Sequence, residues 1–199
     1  MTALLSRVLD AFGADALTHS VFYYAREPAL RFELGGEGLV LDRFTQAYDR
    51  ARAIAALAFK GSSTIVVIPG CYEVGNEGRK AALRSARACG VALPASLETL
   101  TLPAEHGLNR TLVAFENGVE ATPRLLWGAL AAEMGIRPRL RGDVYLADLS
   151  EGILLHPYDD RGLDIVGSKR TQLLPLYTAF GGWLLDHDRP QMDSMFLEP

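Results

Sequence analysis

The sequence predicts an α+β domain: a mostly antiparallel mixed sheet with helices packed on it, in one globular unit over residues 1–199. Three observations predict it. Short apolar runs are joined by turn-forming residues at Gly35-Gly36-Glu37-Gly38 and at Pro157-Tyr158-Asp159-Asp160-Arg161-Gly162, which is the pattern of antiparallel hairpins. Helical spacing of apolar residues appears between the strand-like runs, most clearly over 42–59 and 122–134, so helices and strands are interspersed in one unit. No repeat, low-complexity tract or long linker divides the 199 residues, a length that can bury a substantial core.

In chain order, Leu4, Leu5, Val8, Leu9 and Phe12 share one side of a helix over 3–12, with Thr2 as its cap and Gly13 as its end. Val21-Phe22-Tyr23-Tyr24 is aromatic and β-branched and suits either a strand or a helix end. In 29–34, Leu30, Phe32 and Leu34 alternate with Arg31 and Glu33, which predicts a half-buried strand. The Gly-rich turn then leads to a second arm at 39–41. Asp42 caps a helix to Phe59 on which Phe44, Ala47, Tyr48, Ala51, Ile54, Ala55 and Ala58 keep the i, i+3, i+4 rhythm. Ser63–Ile68 is a continuous β-branched run, hence a central strand covered on both faces.

A basic helix follows over 80–89, then strands at 97–102 and 111–116, the latter ended by Asn117-Gly118. Thr122-Pro123 opens a helix through Met134 that Gly135 closes, and 143–149 reads as a strand. Strands at 152–156 and 162–167 flank the acidic turn, where Gly162 supplies positive φ. Ser168 caps a helix whose apolar side is Leu173, Leu174, Leu176, Tyr177 and Phe180. Pro175 either kinks that helix or marks its first turn. Gly181-Gly182 end it, Trp183-Leu184-Leu185 form a buried return, and Asp186-His187-Asp188-Arg189-Pro190 opens a last short helix ending near Phe196.

The stretch HPYDDRGLDIVG, followed by LLPLYTAFGGWLLDHDRPQMDSMF, resembles the C-terminal signature of an uncharacterised bacterial domain-of-unknown-function family. In that signature a Tyr-Asp-Asp-Arg-Gly-hydrophobic-Asp segment precedes a Leu-Tyr helix, a Trp and an Asp-x-Asp-Arg close. Ala29-Leu30-Arg31-Phe32-Glu33-Leu34-Gly35 is similar to the same family, and so is the position of the helix from Asp42. The resemblance covers most of the chain outside 70–109. It implies a fold neighbourhood and a bacterial source, and no activity.

Composition narrows the function classes. A net charge of −4 argues against nucleic acid, which selects a basic footprint. Cys71 and Cys89 lie in no paired pattern, which predicts reduced thiols and a cytoplasmic location. The N-terminus has no apolar signal core, and no run reaches the ~20 apolar residues of a membrane span, so no membrane is expected.

Recognisable catalytic motifs are missing. Gly70 and Gly75 have the spacing of phosphate-loop glycines, but Asn76 and Glu77 stand where Lys and Ser/Thr are needed. Ser62, Ser63 and Ser96 lack the Gly-x-Ser-x-Gly elbow. Cys71 follows a strand and has His106 or His187 as conceivable bases, yet a lone Cys in such a loop is ordinarily a small residue. No catalytic residue, metal ligand or cofactor is therefore assigned.

The richest set is Asp159, Asp160, Arg161, Asp164, Asp186, Asp188 and Arg189, with His156, His187 and Trp183 nearby in sequence. Carboxylates and histidines so gathered suit a hard cation or acid–base chemistry. They suit equally turn chemistry closed by Arg161 and Arg189 as one structural cluster. Two functions follow: a protein-binding domain, such as an immunity protein whose acidic balance suits a basic toxin, or a metal-assisted hydrolase using the acids of 156–189.

Overall fold

The structure is a computed structural model that describes residues 3–13, 15–17, 22–25, 27–72, 75–103 and 109–197. Its strands are β1 (Ala29–Glu33), β2 (Thr64–Cys71), β3 (Glu98–Pro103), β4 (Asn109–Gly118), β5 (Asp143–Asp148), β6 (Ile153–Asp159) and β7 (Gly162–Gly167). They form one sheet in the order β1-β7-β6-β5-β2-β4-β3, and every neighbouring pair is antiparallel. The helices are α1 (Leu4–Phe12), α2 (Val40–Ala58), α3 (Gly75–Ala88), α4 (Thr122–Leu130), α5 (Arg170–Ala179) and α6 (Arg189–Leu197). The α+β class and the antiparallel sheet are as expected.

β2 is central, between β5 and β4, and Ile65 to Cys71 are buried throughout. The layer of α2, α3, α4 and α5 covers one face of the sheet, while α1 and the short 3-10 turns at Asp15–Leu17 and Phe22–Ala25 pack on the other. Phe44 and Tyr48 of α2 meet Trp127 of α4 edge-on, at 4.8 and 5.4 Å, the geometry that aromatic quadrupoles favour. Val21 and the Thr2 cap lie outside the described residues; Phe22–Ala25 is a 3-10 turn and not a strand.

Several local expectations are corrected. β1 does not fold back onto 39–41. Leu39 is the N-cap of α2, which starts at Val40, and β1 pairs with the distant β7, Arg31 opposite Asp164. Gly35 serves close packing and not a hairpin: a Cβ there would sit 2.7 Å from the Asp160 carbonyl oxygen and 2.8 Å from the Arg43 side chain. Asp42 lies in the first turn of α2 instead of capping it, where it still meets the positive end of the helix dipole. α4 stops at Leu130, four residues early. There the Leu140 amide donates to the Gly128 carbonyl at 2.8 Å and the Ala132 amide to the Ala129 carbonyl, so the α pattern is broken before Gly135 turns the chain at φ +70°.

The β6–β7 hairpin is present, with Asp159 paired to Gly162 around a tight Asp160-Arg161 turn. Gly162 is not among the residues at positive φ. It is needed for space, because a Cβ would penetrate the Tyr158 phenol. Lys169, not Ser168, precedes the first turn of α5; the Ser168 hydroxyl and the Lys169 amide both donate to the Gln172 side chain, at 3.1 and 2.8 Å. Pro175 stands inside α5 and not in its first turn.

Candidate functional site

The register of the sheet builds a buried polar row. Arg31 on β1 faces Asp164 on β7, and Asp164 faces His156 on β6. His156 stacks on Tyr145 of β5 with ring centroids 4.3 Å apart. Four neighbouring strands thus each place one polar side chain on the same face, and these residues are 8%, 1%, 2% and 1% exposed in that order. Each is flanked along its strand by buried apolar residues, such as Leu30 and Phe32 beside Arg31 and Leu163 and Ile165 beside Asp164. The strand alternation sends those neighbours to the opposite face.

At one end of the row Arg31 makes a forked bond to Asp164, Nε to Oδ1 and Nη2 to Oδ2, both 2.8 Å. This two-point geometry is the strong form of the arginine–carboxylate pair. Its third nitrogen reaches Asp188 at 3.3 Å. Asp164 also accepts the Tyr23 amide at 3.0 Å, and Asp188 accepts the Tyr24 hydroxyl at 2.6 Å. The guanidinium lies over the rings of Tyr23, Tyr24 and Tyr158 at 4.8, 4.9 and 5.8 Å, within cation–π range. Burial alone would disfavour the charge of Arg31, but Asp164 more than offsets it and holds the guanidinium protonated. Burial first, with nearby Asp188 for Tyr23 and Asp164 for Tyr158, pushes both phenols above their ordinary range.

At the other end, the fully buried Arg110 of β4 donates to the Tyr145 hydroxyl at 2.8 Å and to the Leu17 carbonyl at 2.9 Å, and pairs with Asp143. Burial pushes the Tyr145 phenol up to about 12. His156 bonds through Nδ1 to the Val144 carbonyl at 3.1 Å. Its burial drives the imidazole pKa below the ordinary value, against the opposing pull of Asp143.

Four of the acids singled out in the sequence are divided among three arginines. Asp164 and Asp188 come together on Arg31. Asp160 pairs with Arg43 of α2 at 2.6 Å. Asp159 holds the backbone amide and guanidinium of Arg161, whose side chain is 78% exposed. Arg189 pairs with Asp193 at 2.9 Å and donates to the Gly181 carbonyl. Asp186 and His187 are exposed in a 3-10 turn, and Trp183 stacks on Phe180 with Arg50 over its ring. The single cluster is therefore replaced by several arginine pairs.

Sequence reasoning missed Arg31, Arg110 and Tyr145. A usable signal was there for the Arg31–Asp164 pair: one cation and one carboxylate, each flanked on both sides by apolar residues at mid-strand. Cys71 is buried at the end of β2, and its thiol donates to the Gly78 carbonyl at 3.1 Å. His19 and His106 lie outside the described residues. Among the described residues no group of three or more His, Cys, Asp or Glu is placed to hold a metal ion, and no helix is long and apolar enough to cross a membrane.

The arrangement defines an α+β protein whose buried charges are held by internal partners. The chain belongs to a family described as a domain of unknown function, DUF3885, whose model matches residues 5–188. No curated protein matches the chain, and no solved structure does.

Proposed function

We propose that this chain is a protein-binding domain with no catalytic role, that it docks its partner on Leu39, Val40 and Leu41, and that the partner is a basic protein such as a toxin it neutralises. The observation that carries this reading is the exposure of those three consecutive aliphatic residues, 75%, 57% and 67%. They begin α2 with no side-chain cap, where Ser, Thr, Asp or Asn would stabilise the helix. Apolar side chains that give up a cap and remain in water are the mark of a contact surface.

The β6–β7 turn borders this patch, because Asp160 pairs with Arg43 one turn into α2. The exposed Arg161 thus contributes a charged group at its rim, held in place by the buried Asp159. The net charge of −4 favours encounter with a basic partner. A hydrolase using the acids of 156–189 is less well supported, because Asp159, Asp160, Asp164 and Asp188 each already hold an arginine.

Affinity capture with the intact chain from its native cells tests the proposal. The wild type should retain a basic protein in stoichiometric amount, and Leu39→Asp/Leu41→Asp should not. Equal capture by both, or stabilisation by a divalent metal in a thermal-shift series with no protein captured, would overturn it.

A further inference from the structure

We infer that the open edge of β3 docks against the same edge of a second copy of this chain, antiparallel and centred on Leu100. This surface is separate from the Leu39–Leu41 patch, and the inference stands without that reading.

The two edges of the sheet are treated differently. At the β1 edge the chain closes over itself: Leu184 bridges Phe32, the Leu185 amide donates to the Arg31 carbonyl at 3.0 Å, and the Arg31 amide donates to the Met192 sulfur at 3.3 Å. At the other edge β3 has β4 on one side and, among the described residues, no strand on the other. An unpaired strand edge is a template for another strand unless it is guarded by lysines, bulges or proline. The sequence of β3, Glu-Thr-Leu-Thr-Leu-Pro, has no lysine and has proline only at its last position. Its ladder with β4 runs from Glu98 to Pro103 without a register shift.

The strand is complementary to itself. Antiparallel pairing about Leu100 sets Thr99 against Thr101 and Glu98 against Leu102, so no like charges face each other and the threonines form a favourable cross-strand pair. Thr99 and Thr101 are exposed on one face, and Leu100 and Leu102 are half-buried on the other, toward α1. Between α1 and β3 lies an unfilled cavity of 410 Å³ lined by Leu5, Ser6, Leu9 and Leu100, among others. A two-fold axis through Leu100, perpendicular to the sheet, brings the second copy's Leu102 and α1 to that side. Glu98 anchors the wall, taking the Leu4 and Leu5 amides at 2.6 and 2.8 Å, so the cavity is framed before the second copy arrives.

Charge pairs across the two-fold axis test both the surface and its register, in sedimentation of the full chain over a concentration series. The wild type should pass from monomer to dimer. T99K/T101K puts like charges opposite each other at both crossings and should weaken the dimer about tenfold. T99K/T101E puts opposite charges there and should dimerise like the wild type. Both side chains point to solvent, so the fold is kept. Amide exchange of the wild type gives a reading independent of any variant, since protection at 98–103 should rise with concentration. A wild type that stays monomeric throughout, as it would if the edge took an extended segment of another protein, overturns the inference. So does a T99K/T101K dimer of wild-type strength, a T99K/T101E dimer as weak as T99K/T101K, or protection at 98–103 that ignores concentration.

Discussion

Arg31 and Arg161 carry the same charge and both hold an aspartate, yet their surroundings assign them very different energies. The Arg31 side chain is 10% exposed and serves two carboxylates that are 1% and 5% exposed. Removing it leaves those charges buried without a counter-charge, so Arg31→Ala should cost about 3–5 kcal/mol and lower Tm by about 10 °C. Arg161 is 78% exposed, so Arg161→Ala should cost about 1 kcal/mol or less. Thermal melts of the two variants decide this, and a pair of equal melting temperatures would refute it. His156 gives a pH dependence. Its folded pKa lies below the unfolded value because burial disfavours the cation, so the unfolded chain binds the extra proton first. Stability is therefore full above the ordinary histidine pKa of about 6.5 and falls as pH drops below it. The groups facing His156 are Asp143, Asp164, Arg110, Tyr145 and Tyr158. Denaturant midpoints from neutral to mildly acid pH should slope downward for the wild type and less so for His156→Gln; identical slopes would remove His156 as the cause.

Among the elements, those with strong local periodicity were legible in the sequence. The helix from Phe44 to Ala58 and the strand from Ile65 to Ile68 needed only their own residues to be read. The β6–β7 hairpin was legible too, although Gly162 is there for the Tyr158 ring and not for a positive φ. The pairing of β1 was not legible. Two glycines after a strand look like a hairpin, and nothing local says that the partner is β7. The alternation in 29–34 was equally deceptive at Arg31, since a strand under a second layer buries both faces whatever their polarity. The start of α2 yields a prediction of its own. Leu39 is an uncapped N-cap, so Leu39→Asp should raise stability by about 1 kcal/mol while abolishing partner capture. A variant that gains neither cap stability nor a binding defect would contradict the reading of that helix end. One of the two readings of the run from Asp159 to Arg189 paired its acids with Arg161 and Arg189, and both do hold neighbouring aspartates, Asp159 and Asp193; Arg31 and Arg43, which hold Asp164, Asp188 and Asp160, come from far upstream and were not legible.

For the whole molecule, the β1 edge is made by two ends of the chain that meet late. Arg31 reaches Asp164 across 133 residues and Asp188 across 157. During synthesis at about 5–20 residues per second, β1 leaves the ribosome many seconds before either carboxylate exists. Until then its guanidinium has no counter-charge to fold around, and its apolar neighbours Leu30 and Phe32 have no strand to pair with. The middle strands, β2 with β4 and β5, have partners within reach and can form first. The N-terminal segment must therefore wait as a tethered, unpaired strand and dock only when the last quarter of the protein appears, which makes the interval before residue 188 emerges the window in which a nascent chain is most exposed to chaperones and to its neighbours on the same message.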